Sequence, residues 1–226
     1  YGYPFSSSPG YLVVAGGALF FSARDTNGTE LWKSDGTSAG TVMVKDLFPG
    51  NAPWGDPNIG APVELAAIQG QLVFTAYGPT YSPYLWRSDG TESGTVRLKE
   101  ADGGIYPCNT FFEFLPPATI TGTLFLSAGN STSGCELWKT DGTDAGTVLV
   151  KDIWPGIDYY GYGNGAYPRN FTVVNGTVFL TAMDGVHGRE LWKSDGTEVG
   201  TELVKDISTL PDPWGFYGPG LLASAG

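Results

Sequence analysis

The stretch ELWKSDGT at residues 30–37 decides the fold, because nearly the same eight letters return three more times along the chain. The later copies read YLWRSDGT at 84–91, ELWKTDGT at 136–143 and ELWKSDGT at 190–197. A motif repeated in tandem at an even spacing is typical of a structural unit that is itself repeated. The four copies therefore indicate four structural units rather than four active sites.

The spacing of the motif defines the repeat. Its tryptophans, Trp32, Trp86, Trp138 and Trp192, lie 54, 52 and 54 residues apart. Around each of them four short segments recur, and in the last repeat these read NFTVV (170–174), TVFLTA (177–182), ELWKS (190–194) and TELVKDI (201–207). Each segment is rich in β-branched or aromatic residues and is bounded by Gly, Asn, Asp or Pro, which predicts a strand.

The links between these segments predict antiparallel hairpins. Asn175-Gly176 joins the first two segments of the last repeat and is a strong signal for a two-residue hairpin turn. The loop DGTEVG (195–200) joins the third and fourth segments. An Asp at the start of such a loop accepts hydrogen bonds from backbone amides, Gly supplies a positive φ, and Thr caps the loop. We predict this turn-forming role, with a metal-binding or catalytic role as the alternative, for Asp35, Asp89, Asp141 and Asp195.

The apolar pattern of the strands predicts how they pack. Segments such as LVFTA (72–76) and LFLSA (124–128) are apolar on successive residues, so both faces of each sheet are expected to be covered. This pattern predicts an all-β fold, a β-propeller-like array of four four-stranded antiparallel blades that is complete here or part of a larger repeat protein. The motif tryptophans are expected to pack between blades, and stacking on carbohydrate is the alternative.

The boundaries follow from the repeat. We predict one repeat domain over residues 1–226, with repeats at about 11–62, 63–107, 108–168 and 169–210. Residues 211–226 contain an aromatic loop and a segment, LLASAG, that matches the first strand of a repeat. This segment is either the start of a fifth repeat or a strand that is donated to a neighbouring subunit for self-assembly.

The repeat also resembles a known family. The motif, together with a following segment such as GTVLVKDIWPG (146–156), is similar to the ELWxxDGT repeat family over roughly residues 11–207. The resemblance implies tandem propeller-like repeats in a secreted or surface protein, and it implies no particular activity. Repeat two departs from the pattern, because Tyr84 replaces the motif Glu and RLKEADGG (97–104) replaces the usual VKD-PG segment.

Composition narrows the compartment and the partners. The net charge of −11 and the absence of a basic stripe argue against nucleic acid or an anionic membrane surface as a partner. No apolar run is long enough for a membrane span. Cys108 and Cys135 are compatible with one disulfide or with two free thiols. Together with four N-x-S/T sites, of which two also suit turns, these features predict an extracellular or cell-surface glycoprotein, with the sites at Asn27, Asn130, Asn170 and Asn175.

Catalytic and metal-binding motifs are sparse. The single histidine, His187, has no nucleophile motif beside it and is expected to be an ordinary loop residue. Asp25, Asn27 and Glu30 offer oxygen ligands for calcium but lack the full loop spacing, so no cofactor is predicted and calcium is the alternative. The recurrent Lys-Asp pairs at 45–46, 151–152 and 205–206 are expected to be solvated ion pairs.

The long links between repeats carry the most unusual chemistry. They are rich in Gly and Pro and also in aromatic residues, which form a candidate binding surface: Trp54, Trp154, Tyr159, Tyr160, Tyr162, Trp214 and Tyr217. The alternative is that these side chains fill the spaces between blades. From these features we predict a non-enzymatic extracellular scaffold or interaction module that binds protein subunits in a surface, matrix or filament assembly. The alternative is a carbohydrate-binding, lectin-like propeller.

Overall fold

A computed structural model of the chain describes residues 6–53, 55–78, 81–99, 105–108, 118–130 and 132–207. No helix occurs among these residues, which form short strands joined by turns. In chain order the strands are β1 (Gly10–Ala15), β2 (Ala18–Asp25), β3 (Gly28–Ser34), β4 (Val42–Lys45), β5 (Val63–Ile68), β6 (Gln71–Tyr77), β7 (Pro83–Ser88), β8 (Val96–Arg97), β9 (Tyr106–Pro107), β10 (Ala118–Ile120), β11 (Thr123–Asn130), β12 (Gly134–Thr140), β13 (Val148–Lys151), β14 (Arg169–Val174), β15 (Thr177–Met183), β16 (Arg189–Ser194) and β17 (Glu202–Lys205).

The strands form four antiparallel sheets, each ordered as in the sequence. Blade 1 is β1–β4, blade 2 is β5–β8, blade 3 is β10–β13 with β9 paired to β11, and blade 4 is β14–β17. The predicted all-β fold of four four-stranded antiparallel blades is therefore confirmed. The chain divides into two compact units, residues 1–98 with blades 1 and 2, and residues 99–226 with blades 3 and 4.

Two-residue turns set the register of the first two strands in each blade. Val174 pairs with Thr177 across the turn, and Asn175 and Gly176 have φ values of 50° and 76°. Positive φ at both positions is what a type I′ turn requires, and the twist of this turn matches that of the flanking strands. The same conformation recurs at the equivalent turns, where the residues are Gly16-Gly17, Gln69-Gly70 and Thr121-Gly122.

The DGT loop between the third and fourth strands is held by its own side chains. In blade 1, Asp35 Oδ1 accepts hydrogen bonds from the Thr37 N–H at 2.9 Å and from the Thr37 hydroxyl at 2.7 Å. The Thr37 Oγ1 in turn accepts the Gly40 N–H at 2.9 Å. These hydrogen bonds lower the pKa of Asp35. The equivalent aspartates make the same pair of bonds to the threonine two residues on, in the loops of Asp89, Asp141 and Asp195.

Within each unit the core lies between the two blades. Val44 and Leu47 of blade 1 are buried in one cluster with Phe74 and Trp86 of blade 2. In the second unit the equivalent residues Val150 and Ile153 share a cluster with Trp192 of blade 4. Of the two remaining motif tryptophans, Trp138 is buried and Trp32 is half-buried. Trp86 and Trp192 therefore contribute to the apolar contact between the neighbouring blades of their units.

Within each unit, lysines of the first blade bind the DGT loop of the second blade. Lys33 Nζ donates to the Gly90 carbonyl at 2.8 Å, and Lys45 Nζ donates to the Thr95 carbonyl at 2.9 Å. In the second unit the two contacts recur at 2.8 and 2.9 Å, from Lys139 to Gly196 and from Lys151 to Thr201. The expectation that Lys45 and Lys151 belong to solvated ion pairs was thus wrong, because these ammonium groups bind backbone carbonyls of the following blade.

Replacing Lys151 by Met tests the strength of this inter-blade contact. We expect a loss of about 2 kcal/mol in the free energy of unfolding, since a charged hydrogen bond is removed and the carbonyls of Thr201 and Glu198 lose their donor. Urea unfolding at low protein concentration measures the loss. Lys205→Met is the matched control, because Lys205 occupies the same position in blade 4 but is exposed, and it should change stability by less than about 0.5 kcal/mol. Equal losses in the two variants would contradict the interpretation.

Candidate functional site: the aromatic hairpin

The link between blades 3 and 4 contains a small hairpin, which we call the aromatic hairpin (residues 154–166). Ile157 and Gly163 form an isolated antiparallel bridge, and the Asp158 N–H donates to the Tyr162 carbonyl at 2.6 Å. The Asp158 carboxylate also accepts the N–H groups of Tyr160 and Tyr162 at 2.8 and 2.9 Å. These bonds satisfy the backbone of the tip internally, so the hairpin has a defined shape although it contacts solvent.

The tip of the aromatic hairpin presents tyrosine side chains to solvent. Tyr159, Tyr160 and Tyr162 are 96%, 79% and 71% exposed, and Ile157 beside them is also exposed. The rings of Tyr159 and Tyr160 meet edge to face with centroids 5.4 Å apart. Large aromatic side chains clustered on a fixed loop and left exposed are characteristic of a binding surface.

A buried glutamate fastens both ends of this hairpin. Glu136 lies in β12 and is fully buried, and its Oε2 accepts the Ile153 N–H at 2.7 Å while its Oε1 accepts the Ala166 N–H at 3.0 Å. We call this arrangement the glutamate clamp. Glu136 is the first residue of its ELW motif and was not predicted to have a role, and the equivalent Glu30 was considered only as a calcium ligand. The available signal was that repeats one and three pair this Glu with a following Pro-Gly link.

The same clamp closes the link between blades 1 and 2. Glu30 accepts the Leu47 N–H at 2.8 Å and the Gly60 N–H at 3.0 Å, and the link carries the equivalent bridge between Asn51 and Pro57. Burial raises the pKa of Glu30 to about 7, with the two N–H donors opposing the shift and the negative charge of Asp46 adding to it. Burial likewise raises the pKa of Glu136 to about 8.

Trp154 differs from the exposed tyrosines. It lies at the base of the hairpin, is half-buried, and packs so closely on Gly185 of the β15–β16 loop that a side chain there would meet the indole ring. Its counterpart in the first link, Phe48, packs edge to face on Tyr81 with centroids 4.8 Å apart. The structure therefore separates Trp154 from the tip. The other predicted members of the surface, Trp54, Trp214 and Tyr217, lie outside the described residues, as do residues 211–226.

The predicted disulfide is present between Cys108 and Cys135, and no free cysteine remains. The Cα atoms of the two residues are 5.7 Å apart. The carbonyl of Cys135 accepts the Tyr167 N–H at 3.0 Å, directly after the end of the aromatic hairpin. The disulfide therefore ties the segment before blade 3 to the strand that carries both this contact and the glutamate clamp.

The four N-x-S/T asparagines lie in different environments. Asn27 and Asn175 are exposed in turns, and Asn27 donates to Asp25 Oδ2 at 3.1 Å. Asn130 is half-buried, and its Oδ1 accepts the Ser133 N–H at 2.8 Å. Asn170 is half-buried in β14. Exposed turns are accessible to glycosylation, and the occupancy of all four sites stays a prediction.

His187 and the candidate calcium segment are engaged in local contacts. His187 Nδ1 lies 2.7 Å from Asp184 Oδ2, and this hydrogen bond and the negative charge of Asp184 raise the pKa of His187. In the calcium segment, Asp25 accepts the Asn27 N–H at 2.7 Å, while Glu30 forms the buried clamp. Among the described residues, no cluster of three or more His, Cys, Asp or Glu side chains has the arrangement of a metal site.

Comparisons with known proteins inform the fold. No protein-family model and no curated protein matches the sequence. Among solved structures, a puromycin-hydrolyzing peptidase of Mycobacterium tuberculosis is similar with a TM-score of 0.53 and 14% identity, over 93% of this chain and 30% of the peptidase. A puromycin hydrolase mutant complexed with PGG gives 0.48, with 17% identity over 94% of this chain and 30% of the hydrolase. The GH43_1 enzyme from Xanthomonas citri complexed with xylose gives 0.32, with 14% identity over 84% and 70% of the two chains.

The similarity to the puromycin-hydrolyzing peptidase overturns the predicted scaffold function. The puromycin-hydrolyzing peptidase, which shares this fold with a TM-score of 0.53, is named as an enzyme that hydrolyses a substrate and not as an assembly subunit. The interpretation as a building block of a surface, matrix or filament assembly was therefore wrong. The chain spans less than a third of the length of the two puromycin hydrolases. The similarity to the peptidase, at 14% identity, shows a shared fold without assigning a reaction to this chain.

Among the described residues, no helix is long and apolar enough to cross a membrane.

The glutamate clamps predict that stability falls at alkaline pH. The pKa of Glu136 rises from 4.5 in the unfolded chain to about 8 in the fold, so its contribution is complete below about pH 4.5 and is lost as the pH rises through 8. We expect the free energy of unfolding to fall on the order of 3 kcal/mol between pH 5 and pH 9. Urea unfolding across this range measures the change.

Glu136→Gln should remove much of this pH dependence, because the amide does not ionise. The control is Glu202→Gln, which changes an exposed carboxylate of blade 4 and should leave the wild-type slope intact. A Glu136→Gln slope equal to that of the wild type would show that the buried carboxyl does not titrate in this range.

Proposed function

We propose that this chain binds saccharides through the tip of the aromatic hairpin. The observation that carries the proposal is the exposure of Tyr159, Tyr160 and Tyr162 on a loop whose backbone is fixed by Asp158 and Glu136. A tyrosine offers an apolar ring and a hydroxyl at its edge, and a pyranose offers an apolar face and hydroxyls around it. Rings that are already positioned lose little conformational freedom on binding, which favours affinity for a small ligand.

The charges around the tip favour a neutral saccharide. Asp158 is the charged residue of the hairpin, and no Lys, Arg or His occurs between residues 152 and 168. An anionic sugar would meet the negative charge of Asp158 with no cation on the hairpin to bind its acidic group, whereas a neutral sugar requires only stacking and hydrogen bonds. The overall charge of −11 acts in the same direction.

We place this activity outside the cytoplasm. A disulfide is favoured in oxidising compartments, and the four N-x-S/T sites fit a chain that meets the glycosylation machinery. The resemblance to the ELWxxDGT repeat family supports the same location.

Alanine substitution at the tip tests the proposal. After a glycan array identifies a ligand, Tyr160→Ala and Tyr159→Ala should each weaken its binding about tenfold in calorimetric titration, which corresponds to ~1.4 kcal/mol. Tyr160→Phe keeps the ring and should retain most of the affinity if stacking dominates.

Val199→Ala is the matched control, because Val199 is exposed in the DGT loop of blade 4, away from the hairpin sequence. It should bind as the wild type does, and all variants should show the wild-type melting temperature. An array without selective binding, or affinity that is unchanged by the tyrosine substitutions, would refute the proposal.

A further inference from the structure

Blade 4 exposes residues that are buried at the same positions of blades 1 and 3. Val204 is 43% exposed and Ile207 is 62% exposed. By strand register, Val204 corresponds to Val44 and Val150, both 6% exposed, and Ile207 corresponds to Leu47 and Ile153, at 3% and 4%. In blades 1 and 3 these side chains belong to the apolar contact with the next blade.

Other residues on this side of blade 4 follow the same trend. Leu191 is half-buried, whereas Leu31 and Leu137 are fully buried, and Lys205 is exposed. Blade 4 therefore keeps the residue types that contact a following blade, both apolar and basic. We call this surface the lysine face and define it by Phe179, Leu191, Lys193, Val204, Lys205 and Ile207.

Blade 1 leaves exposed the residues that, at the equivalent positions of blades 2 and 4, contact the preceding blade. In blade 2 the loop glycine Gly90 is buried, and a Cβ added to it would lie 3.1 Å from the ring of Phe20 in blade 1. In blade 4 the loop glycine Gly196 would likewise approach Phe125 at 3.0 Å. Gly36 of blade 1 is exposed, and an added Cβ would have no atom within 4 Å.

The strand beside this loop is also less covered. Leu19 is half-buried, although the residues at the equivalent position of the other blades, Leu72, Leu124 and Val178, are almost fully buried. Trp32 is half-buried, whereas the three other motif tryptophans are buried. We call this surface the loop face and define it by Leu19, Trp32, Gly36, Ser38 and Thr41.

We propose that the lysine face of blade 4 binds the loop face of blade 1 in a second copy of this chain, and so repeats between copies the contact that joins neighbouring blades. By equivalence with the bonds of Lys33 and Lys45, Lys193 would donate to the Gly36 carbonyl of the second copy and Lys205 to its Thr41 carbonyl. Within one copy the Lys193 ammonium pairs with Glu202 at 2.9 Å, and its remaining N–H groups would make the new bond. Val204 and Ile207 would bury their apolar surface in the same contact. This association is independent of the proposed saccharide binding.

Chemical complementarity favours a second copy as the occupant. The lysine face offers ammonium donors around an apolar centre, and the loop face offers backbone carbonyls around another apolar centre, as in the contact between the two blades of each unit. The two faces differ, so the contact is heterologous, and each copy retains one face for a further copy.

Analytical ultracentrifugation over a range of concentrations tests the proposal on the full chain. The wild type should show a mass that rises with concentration above that of one chain. Val204→Asp places a charge in the lysine face, and Ser38→Arg places a cation where Lys205 should dock, so each variant alone should remain a monomer. Val204 and Ser38 are both exposed. The melting temperature of each variant verifies that it folds.

Mixing the two variants gives the decisive result. The Val204→Asp copy retains an intact loop face and the Ser38→Arg copy retains an intact lysine face, so the equimolar mixture should form dimers and nothing larger. Val186→Asp, an exposed valine outside both faces, should associate as the wild type does. A wild type that is monomeric at all concentrations, or a mixture that stays monomeric while the wild type associates, would overturn the proposal.

Discussion

A buried carboxylate that holds two distant backbone N–H groups is the constraint on which the rest of this structure depends. Glu136 binds groups 17 and 30 residues further along the chain, and Glu30 does the same in the first unit. One strand of the blade thereby fixes where the next link leaves and where it returns. The clamp is costly, because an ionised carboxyl is poorly solvated inside a protein, and the raised pKa of both residues records this cost. What the fold gains is a long link with a single defined path.

The second constraint explains why the DGT loop recurs in all four repeats. The loop folds on its own Asp and Thr side chains, and in blades 2 and 4 its carbonyls also accept hydrogen bonds from lysines of the preceding blade. One short segment thus forms a turn and also binds the neighbouring blade. Repeat two departs from the motif at its first position, where Tyr84 replaces the Glu. The guanidinium of Arg97 lies over the Tyr84 ring, 5.0 Å from its centroid. A cation–π contact stands there in place of a clamp.

The sequence allowed the local structure to be predicted much better than the distant contacts. Strands, two-residue turns and DGT loops follow from residue types within a few positions, and the repeat multiplies that signal. The clamp was missed because a glutamate beside leucine and tryptophan looks like one polar residue of an alternating strand. Its partners lie 17 and 30 residues away. The contacts of Lys45 and Lys151 span 50 residues, so the interpretation of these lysines as members of local ion pairs failed for the same reason. Tyr159, Tyr160 and Tyr162 were identified, but composition alone could not separate them from Trp154, which packs on Gly185.

The clamp and the exposed tyrosines are linked by a single physical argument. A loop of thirteen residues that moved freely would lose about 1 kcal/mol or more of conformational free energy for each residue ordered on binding. Aromatic stacking on a small ligand cannot offset a loss of that size. Aromatic rings at the tip of such a link are useful for binding only if the fold has ordered the backbone beforehand. The backbone is ordered by the buried glutamate, the Asp158 turn and the Cys135–Tyr167 contact. The free-energy cost of burying the glutamate therefore accompanies a binding surface whose backbone is already ordered, and we expect the two features to occur together in this repeat.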